Sequence, residues 1–133
     1  MVLKSDTHPI VTGDDVVRVR QAVRQWTADL KFSLVDQTKF VTATSELARN
    51  TLEHGGGGSM RIELVQNGHR TGIKLIFQDS GPGIPDAQLA LRDGYTTGNG
   101  LGLGLSGSKR LVNEFDIQSK AGQGTTVTVI RWK

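Results

Sequence analysis

At 133 residues, the chain is long enough to bury one hydrophobic core but short for two, so we expect a single domain over residues 1–133. Apolar residues make up 36% and charged residues 22% of the sequence, and cysteine is absent, which excludes disulfides, thiolate metal sites and cysteine catalysis. The sequence has no run of about 18 apolar residues and no apolar segment typical of a signal peptide, so we expect a cytoplasmic protein without membrane contact.

The formal net charge of +3 raises the question of a nucleic-acid partner. However, Arg18, Arg20 and Arg24 fall in one predicted helix, and the other cations are scattered singly. Aromatic residues make up only 5% of the chain and do not alternate with basic residues. We therefore expect no nucleic-acid partner.

The first half of the sequence predicts one strand followed by two helices. Thr12 offers a hydroxyl cap just before two acidic residues, and the apolar residues from Val16 onwards recur at three- and four-residue spacing. A second helix is expected to start near Asp36 and to stop at four consecutive glycines, residues 55–58. The predicted elements are a strand at 1–11, a helix at about 14–30 and a helix at about 35–54.

The second half predicts a hairpin, a break and a final strand pair. Alternating residues predict strands at 60–66 and 71–79, and Asn67-Gly68 is a hairpin turn signal. The elements expected after SGPGIP are a short helix at 86–92, a glycine-rich loop, a helix at about 104–114, and the strands EFDIQS and GTTVTVIRW joined across AGQG. This order predicts an α+β sandwich with helices on one face of a mostly antiparallel sheet.

The glycine-rich segment GNGLGLGLSGSKR spans residues 98–110. Gly102 to Gly107 match G-x-G-x-x-G, but a dinucleotide fingerprint needs a strand directly before it, and here a loop precedes it. A P-loop fails as well, because Ser108 stands where lysine is required. Exposed backbone N–H groups beside Lys109 and Arg110 would suit an anion such as a polyphosphate, and a surface loop is the alternative.

Two further motifs carry polar side chains. In SELARN, Glu46 and Asn50 are four residues apart on one helix face and offer oxygen ligands for Mg²⁺, although a solvated helix face would look the same. The Glu46 carboxylate would also suit a role in orienting or deprotonating a nucleophile. In DSGPGIP, Asp79 ends an apolar strand and would accept a hydrogen bond from an amine such as that of adenine. The alternative for Asp79 is a capped tight turn.

Taken together, SELARN, DSGPGIPD, GNGLGLGLSG and GQGTTVTV resemble the N, G1, G2 and G3 boxes of the Bergerat-fold ATPases, which include gyrase B, Hsp90, histidine kinases and MutL. Within that group the chain is similar to stand-alone bacterial anti-sigma-factor and switch-protein serine/threonine kinases, and most similar to the stressosome-associated switch kinase branch. The resemblance covers nearly the whole chain and implies the Bergerat fold, a histidine-kinase-like α/β sandwich.

The resemblance implies a role for each motif residue. Asn50 would bind Mg²⁺ on the triphosphate, Glu46 would act as the base or orienter for the substrate hydroxyl, and Asp79 would accept a hydrogen bond from the adenine amino group. The other residues implied to contact ATP are Gly81 and Gly83 in the loop at the base, Gly100, Gly102 and Gly104 as donors to the phosphates, Lys109 near them, and Thr125 or Thr126 near adenine. His54 matches a position where the family often has an aromatic residue or histidine, and a structural role is favoured for it.

The implied activity is transfer of the γ-phosphate of ATP, with Mg²⁺, to a serine or threonine of a STAS-domain antagonist protein in a bacterial partner-switching pathway. The glycines would form the hinge of a lid over ATP. The alternative is an ATP-gated binding module that sequesters a sigma factor or activates a PP2C-type phosphatase, with little or no kinase activity.

Overall fold

The protein is described here by a computed structural model that covers residues 1–83 and 105–133. The described part contains five strands and three helices. In chain order these elements are β1 (Val2–Ile10), α1 (Gly13–Asp29), α2 (Leu34–Glu53), β2 (Gly58–Asn67), β3 (Arg70–Asp79), α3 (Leu105–Arg110), β4 (Glu114–Lys120) and β5 (Gly124–Trp132).

The strands form one antiparallel sheet in the order β1-β2-β3-β5-β4. The last strand in sequence, β5, lies between β3 and β4 and therefore pairs along both of its edges. This arrangement confirms the predicted α+β class with an antiparallel sheet.

Both long helices begin at a capped residue. Thr12 caps α1 in a capping box, in which the Asp15 N–H donates to the Thr12 side chain and the Asp15 carboxylate accepts from the Thr12 N–H. Ser33 caps α2 in a similar way through the Asp36 N–H. The predicted starts of the two helices are therefore confirmed to within a few residues.

The hydrophobic core lies between the two long helices and one face of the sheet. Along β3, alternate side chains point into it, so Ile73, Leu75 and Phe77 are buried while Lys74 and Ile76 point to the other face. The helices contribute side chains at three- and four-residue spacing. The buried helix residues include Val16, Val19, Val23, Phe40, Leu47 and Ala48.

The glycine run after α2 ends the helix, as predicted. The Gly55 N–H donates to the Asn50 carbonyl at 3.3 Å, and the Gly57 N–H donates to the Thr51 carbonyl at 3.1 Å. These bonds satisfy carbonyl groups of the last turn. The chain then enters β2 at Gly58, directly beside the end of β3.

Two predicted boundaries were wrong. The helix predicted to reach residue 114 ends at Arg110, and β4 already begins at Glu114. The two residues of the β2–β3 turn are Gly68 and His69 rather than Asn67 and Gly68, because Asn67 pairs with Arg70. Gly68 has a φ of 62°, which suits the first central position of a tight hairpin turn.

The predicted short helix at 86–92 lies outside the described residues. Within residues 1–83 and 105–133, no helix is both long and apolar enough to cross a membrane.

Candidate functional site

A cleft opens between the C-terminal half of α2 and the sheet, where β3 ends and β5 begins. Its walls combine apolar side chains from two helices and two strands with a small set of polar groups. The apolar residues are Leu47, Phe77, Leu105 and Val127, and the polar residues are Asn50, Thr51, His54, Asp79 and Thr125. An apolar pocket with a few convergent polar groups is typical of a small-molecule site.

Asp79 is held in place at the end of β3 by two backbone groups. Its Oδ1 atom accepts hydrogen bonds from the Gly81 N–H at 3.0 Å and from the Thr125 N–H at 3.2 Å. Within the described part of the chain, its Oδ2 atom accepts no hydrogen bond. The carboxylate is therefore oriented by one oxygen and keeps the other as an acceptor for a ligand.

Glycines allow the backbone to close around Asp79. A Cβ atom on Gly55 would overlap the Asp79 side chain, and a Cβ atom on Gly124 would overlap the Asp79 carbonyl oxygen. Gly124 also has a φ of 87°, which L-residues rarely adopt. Gly81 lies against the backbone of Gly55, and Gly83 lies against the Lys120 carbonyl.

Of the two candidate threonines, Thr125 lines the cleft. Its hydroxyl lies 2.7 Å from Ser119 Oγ, which donates to the Gly124 carbonyl at 3.0 Å, so the Thr125 hydroxyl is the donor to Ser119. Thr126 pairs with Gln78 and does not line the cleft, but it lines a second depression at this end of the sheet. The alternation of side chains along β5 thus separates two adjacent threonines.

Glu46 lies one helical turn before Asn50 on α2, but it does not line this cleft. Its side chain lines a depression between α1 and α2, together with Arg20, Arg24 and Arg49. The structure therefore brings Asn50, Asp79 and Thr125 together and leaves Glu46 on the neighbouring surface.

The remaining residues predicted to contact ATP lie near the cleft or outside the described residues. Lys109 is exposed in the last turn of α3, whose first residue, Leu105, lines the cleft. Gly100, Gly102 and Gly104 lie outside the described residues, so the phosphate contacts expected from them stay predictions.

Sequence reasoning missed the apolar lining and the Ser119 contact. Phe77 stands two residues before Asp79 on β3, and this spacing places both side chains on one face of the sheet. Leu47 and Thr51 stand three residues before and one residue after the N-box asparagine, Asn50, on α2. The spacing of Phe77 from Asp79 was a usable signal, but no local pattern indicates Ser119.

Comparison with known proteins places this chain in a family. Residues 35–133 match the family model described as histidine kinase-, DNA gyrase B- and HSP90-like ATPase. The chain is 46% identical to the serine/threonine-protein kinase RsbT of Bacillus subtilis, over 92% of each chain. It is 30% identical to an anti-sigma F factor of Anoxybacillus flavithermus, over 84% of this chain and 80% of that one.

Two solved structures share the fold. The RsbU and RsbW domains of a Mycobacterium tuberculosis protein align with a TM-score of 0.63 and 22% identity, over 98% of this chain and 33% of that chain. A histidine kinase domain from Erythrobacter litoralis aligns with a TM-score of 0.51 and 18% identity, over 92% of this chain and 60% of that one.

Proposed function

Because the chain belongs to the family of histidine kinase-, DNA gyrase B- and HSP90-like ATPases, we propose that it is an ATP-dependent serine/threonine protein kinase of a bacterial partner-switching pathway. The observation that carries the proposal is the single cleft in which Asn50, Asp79 and Thr125 meet over an apolar floor. Within this family, the chain is similar to a serine/threonine-protein kinase and to an anti-sigma F factor, and these relatives support phosphotransfer to a protein as the reaction.

The cleft fits the base of ATP. The Asp79 Oδ2 atom accepts no hydrogen bond from residues 1–83 and 105–133, and the adenine amino group would supply a donor to it. Phe77 and Val127 provide apolar surface for the faces of the purine ring. Thr125 is fixed by its N–H bond to Asp79 and by its hydroxyl bond to Ser119, so this end of the site is ordered before a ligand enters.

The site also fits a magnesium ion carried mainly by the nucleotide. Among the described residues, no group of three or more histidine, cysteine, aspartate or glutamate side chains could hold a metal. Mg²⁺ commonly takes one or two protein oxygens and completes its coordination with phosphates and water. The Asn50 side chain in the cleft would supply such an oxygen, and the ion would neutralise charge on the triphosphate.

The proposed transfer needs an acceptor hydroxyl beside Glu46. The hydroxyl oxygen of a serine or threonine forms a bond to the γ-phosphorus of ATP, the bond from that phosphorus to the β–γ bridging oxygen breaks, and the hydroxyl proton passes to the Glu46 carboxylate. Glu46 lies one helical turn from Asn50 and outside the base pocket. This position suits a group that meets a protein substrate arriving from the α1–α2 surface.

We further propose a STAS-domain protein as the acceptor and the cytoplasm, where ATP is available, as the compartment. A second partner, a PP2C-type phosphatase or a sigma factor, would bind after the phosphorylated acceptor is released. The second candidate is an ATP-gated binding module with little or no kinase activity, which would need the cleft but not Glu46.

The test combines a panel of STAS-domain proteins with Mg-ATP labelled at the γ-position. We expect label on a serine or threonine of one panel member, and its loss in Glu46→Ala while ATP binding is retained. Glu53→Ala is the matched control, because Glu53 is an exposed glutamate of the same helix. ATP binding without any transfer to the panel would contradict the kinase and support the binding module.

A further inference from the structure

A buried arginine near the end of β5, Arg131, connects two helices to the sheet. It stands two residues after the buried Val129, and this spacing puts its side chain on the core face of the sheet, where it is only 13% exposed. Its Nη2 atom donates to the Asp36 carboxylate in the first turn of α2 at 2.5 Å, and its Nη1 atom donates to the Leu111 carbonyl at 2.7 Å. Leu111 directly follows α3, so one side chain joins the start of α2 to the end of α3.

Packing alone does not account for an arginine at this position. A charge taken out of water must be paired and hydrogen-bonded, and the guanidinium achieves this by directing two nitrogens to acceptors on different elements. The Arg131 Nε atom is buried as well and makes no hydrogen bond within residues 1–83 and 105–133, a cost that an apolar side chain of similar size would avoid. What the arginine provides beyond filling space is a fixed link between the Asp36 carboxylate and the Leu111 carbonyl.

The segment between α3 and β4 is also tied to β5 at its other end. The Asn113 N–H donates to the Ile130 carbonyl at 2.9 Å, and Asn113 Oδ1 accepts a hydrogen bond from the Trp132 N–H at 2.7 Å. The bond from Arg131 holds the first residue of this segment, Leu111, and the Asn113 bonds hold its last residue. The C-terminal end of α3 is therefore fixed to the sheet through three consecutive residues of β5.

The opposite end of α3 forms part of the cleft wall. Leu105, the first residue of α3, is buried and lines the cleft that also contains Asn50 and Asp79. Leu105 and Ser108, nearly one turn apart, are the buried residues of α3, which packs against α2. The helix has six residues and spans about 9 Å, a length over which helix curvature is negligible. A displacement of its C-terminal end is therefore transmitted to Leu105.

We propose that Arg131 is a positioning residue for the nucleotide cleft, because it fixes the end of α3 to α2 and β5 and thereby holds Leu105 in the cleft wall. Arg131 does not line the cleft, so it acts through α3 and not by touching the ligand. This role rests on the proposed binding of ATP in the cleft. Without the guanidinium, α3 shifts against α2, and Leu105 no longer meets the nucleotide in one fixed arrangement.

The first test is a double-mutant cycle between Arg131→Met and Leu105→Ala, measured as affinity for Mg-ATP by isothermal titration. Methionine keeps an unbranched apolar side chain but has no donor, and Asp36 remains solvated because its side chain is 39% exposed. We expect each single variant to weaken ATP binding about five- to tenfold, and the double variant to bind no more weakly than Leu105→Ala. A loss in the double variant equal to the product of the two single losses would overturn the proposal.

Two control variants separate positioning from lost stability and from lost charge. Val19→Ala opens the core at a fully buried residue of α1 that does not line the cleft, so it should lower the Tm, as Arg131→Met does, but keep ATP affinity within about twofold. Arg18→Met removes an exposed guanidinium that pairs with Asp15 at the start of α1, and it should also keep ATP affinity. Equal losses of affinity in Val19→Ala and Arg131→Met would show that Arg131 only stabilises the fold.

A measurement without nucleotide separates this role from the proposed kinase. In the ¹⁵N-labelled full chain, Arg131→Met should shift the backbone amide signals of residues 105 and 106, at the end of α3 farthest from Leu111, whereas Val19→Ala should leave them in place. Unchanged signals at residues 105 and 106 in Arg131→Met would overturn the proposal. Failure of the wild-type protein to bind Mg-ATP would overturn the proposed function, whereas the amide shifts would still support the link from Arg131 to Leu105.

Discussion

At the scale of single residues, the two carboxylate oxygens of Asp79 have different roles: one accepts hydrogen bonds from the protein, and the other is expected to accept one from the ligand. Asp79→Asn keeps an oxygen for the Gly81 and Thr125 N–H groups but replaces the second acceptor with a donor. Hydrogen bonds involving a charged group contribute about 1.5–3 kcal/mol, so we expect ATP affinity to fall at least about tenfold, with the fold unchanged. Titration with a fluorescent nucleotide measures this, and Asp116→Asn, an exposed residue of β4, is the control. An unchanged Kd would contradict the adenine contact.

Asn50 should act only through the metal. We expect wild-type protein to bind ATP more tightly with Mg²⁺ than with a chelator, and Asn50→Ala to lose most of that difference because its oxygen is removed from the cleft. Isothermal titration with and without Mg²⁺ gives both affinities. Asn67→Ala, at the exposed end of β2, should keep the full difference. If Asn50→Ala kept it as well, the assignment of Asn50 to the metal would be wrong.

The motif residues at this scale could be read from the sequence, but the choice between Thr125 and Thr126 could not. Two adjacent threonines in a strand face opposite sides, and the inward one is set by the pairing of β5 with β3. Only the strand pairing in the folded sheet therefore shows that Thr125, and not Thr126, lies beside Asp79, to which its N–H donates. Ser119 had no signal, because its contact with Thr125 depends on the pairing of β4 with β5.

At the scale of elements, the junction between β3 and β5 depends on Gly124. Gly124→Ala should lower the free energy of unfolding by about 2 kcal/mol, because the residue must keep a positive φ and its Cβ would overlap the Asp79 carbonyl. The variant should also weaken ATP binding, since Thr125 follows directly.

Urea unfolding measures this effect, and the same substitution elsewhere provides the comparison. Gly13 opens α1, and a Cβ atom there would meet no atom within 4 Å. Gly13→Ala should therefore leave stability unchanged or raise it by about 0.5–1 kcal/mol. Equal losses in both variants would show that the close approach at Gly124 is not what requires glycine.

Helices with a sustained hydrophobic period could be predicted from the sequence. The end of α3 could not, because the local pattern of apolar residues continues beyond it. Helix α1 was expected at about 14–30 and lies at Gly13–Asp29. After Arg110 the apolar residues Leu111 and Val112 continue a helical pattern, yet the helix stops. The reason is tertiary, because the Asn113 N–H donates to the Ile130 carbonyl at 2.9 Å and Asn113 Oδ1 accepts from the Trp132 N–H at 2.7 Å. Pairing with β5 therefore overrides helix propensity.

At the scale of the whole molecule, one ion pair joins the start of α2 to the end of β5. Arg131 donates to Asp36 at 2.5 Å across 95 positions of sequence, and also to the Leu111 carbonyl at 2.7 Å. The hydrogen bond from Arg131 holds the pKa of the Asp36 carboxyl below its ordinary value, against the opposing effect of burial. The pair therefore stabilises the fold only while Asp36 is ionised.

Acid unfolding should reveal this contribution. A carboxyl with a lowered folded-state pKa stabilises the protein above its unfolded pKa, about 4, and loses that effect as the pH falls through its folded pKa. The Asp36 side chain is 39% exposed, so solvent screening limits the expected loss in Asp36→Asn at pH 7 to about 1 kcal/mol. The gap between variant and wild type should close below pH 4. A gap that is constant with pH would contradict an ionic origin.

The depression between α1 and α2 that Glu46 lines also depends on the whole molecule, and the sequence did not predict it. The prediction placed Glu46 and Asn50 on one helix face, with Asn50 as a ligand of Mg²⁺ and Glu46 as the base or orienter for the substrate hydroxyl. The packing of α1 against α2 instead places Arg20 and Arg24 beside Glu46, and the sheet provides the neighbours of Asn50. Which residues of different helices become neighbours depends on this packing, for which a single sequence carries no local signal.

The position of β5 inside the sheet has a consequence for synthesis on the ribosome. β1, β2 and β3 emerge first and can pair, but β3 keeps an open edge until β5 arrives after β4. Until then Asp79 lacks its Thr125 donor, and the nascent chain exposes an unpaired, apolar strand. The proposed nucleotide pocket is thus completed only after β5 has emerged. Nascent chains halted before residue 124 should depend on chaperones and should not be rescued by ATP.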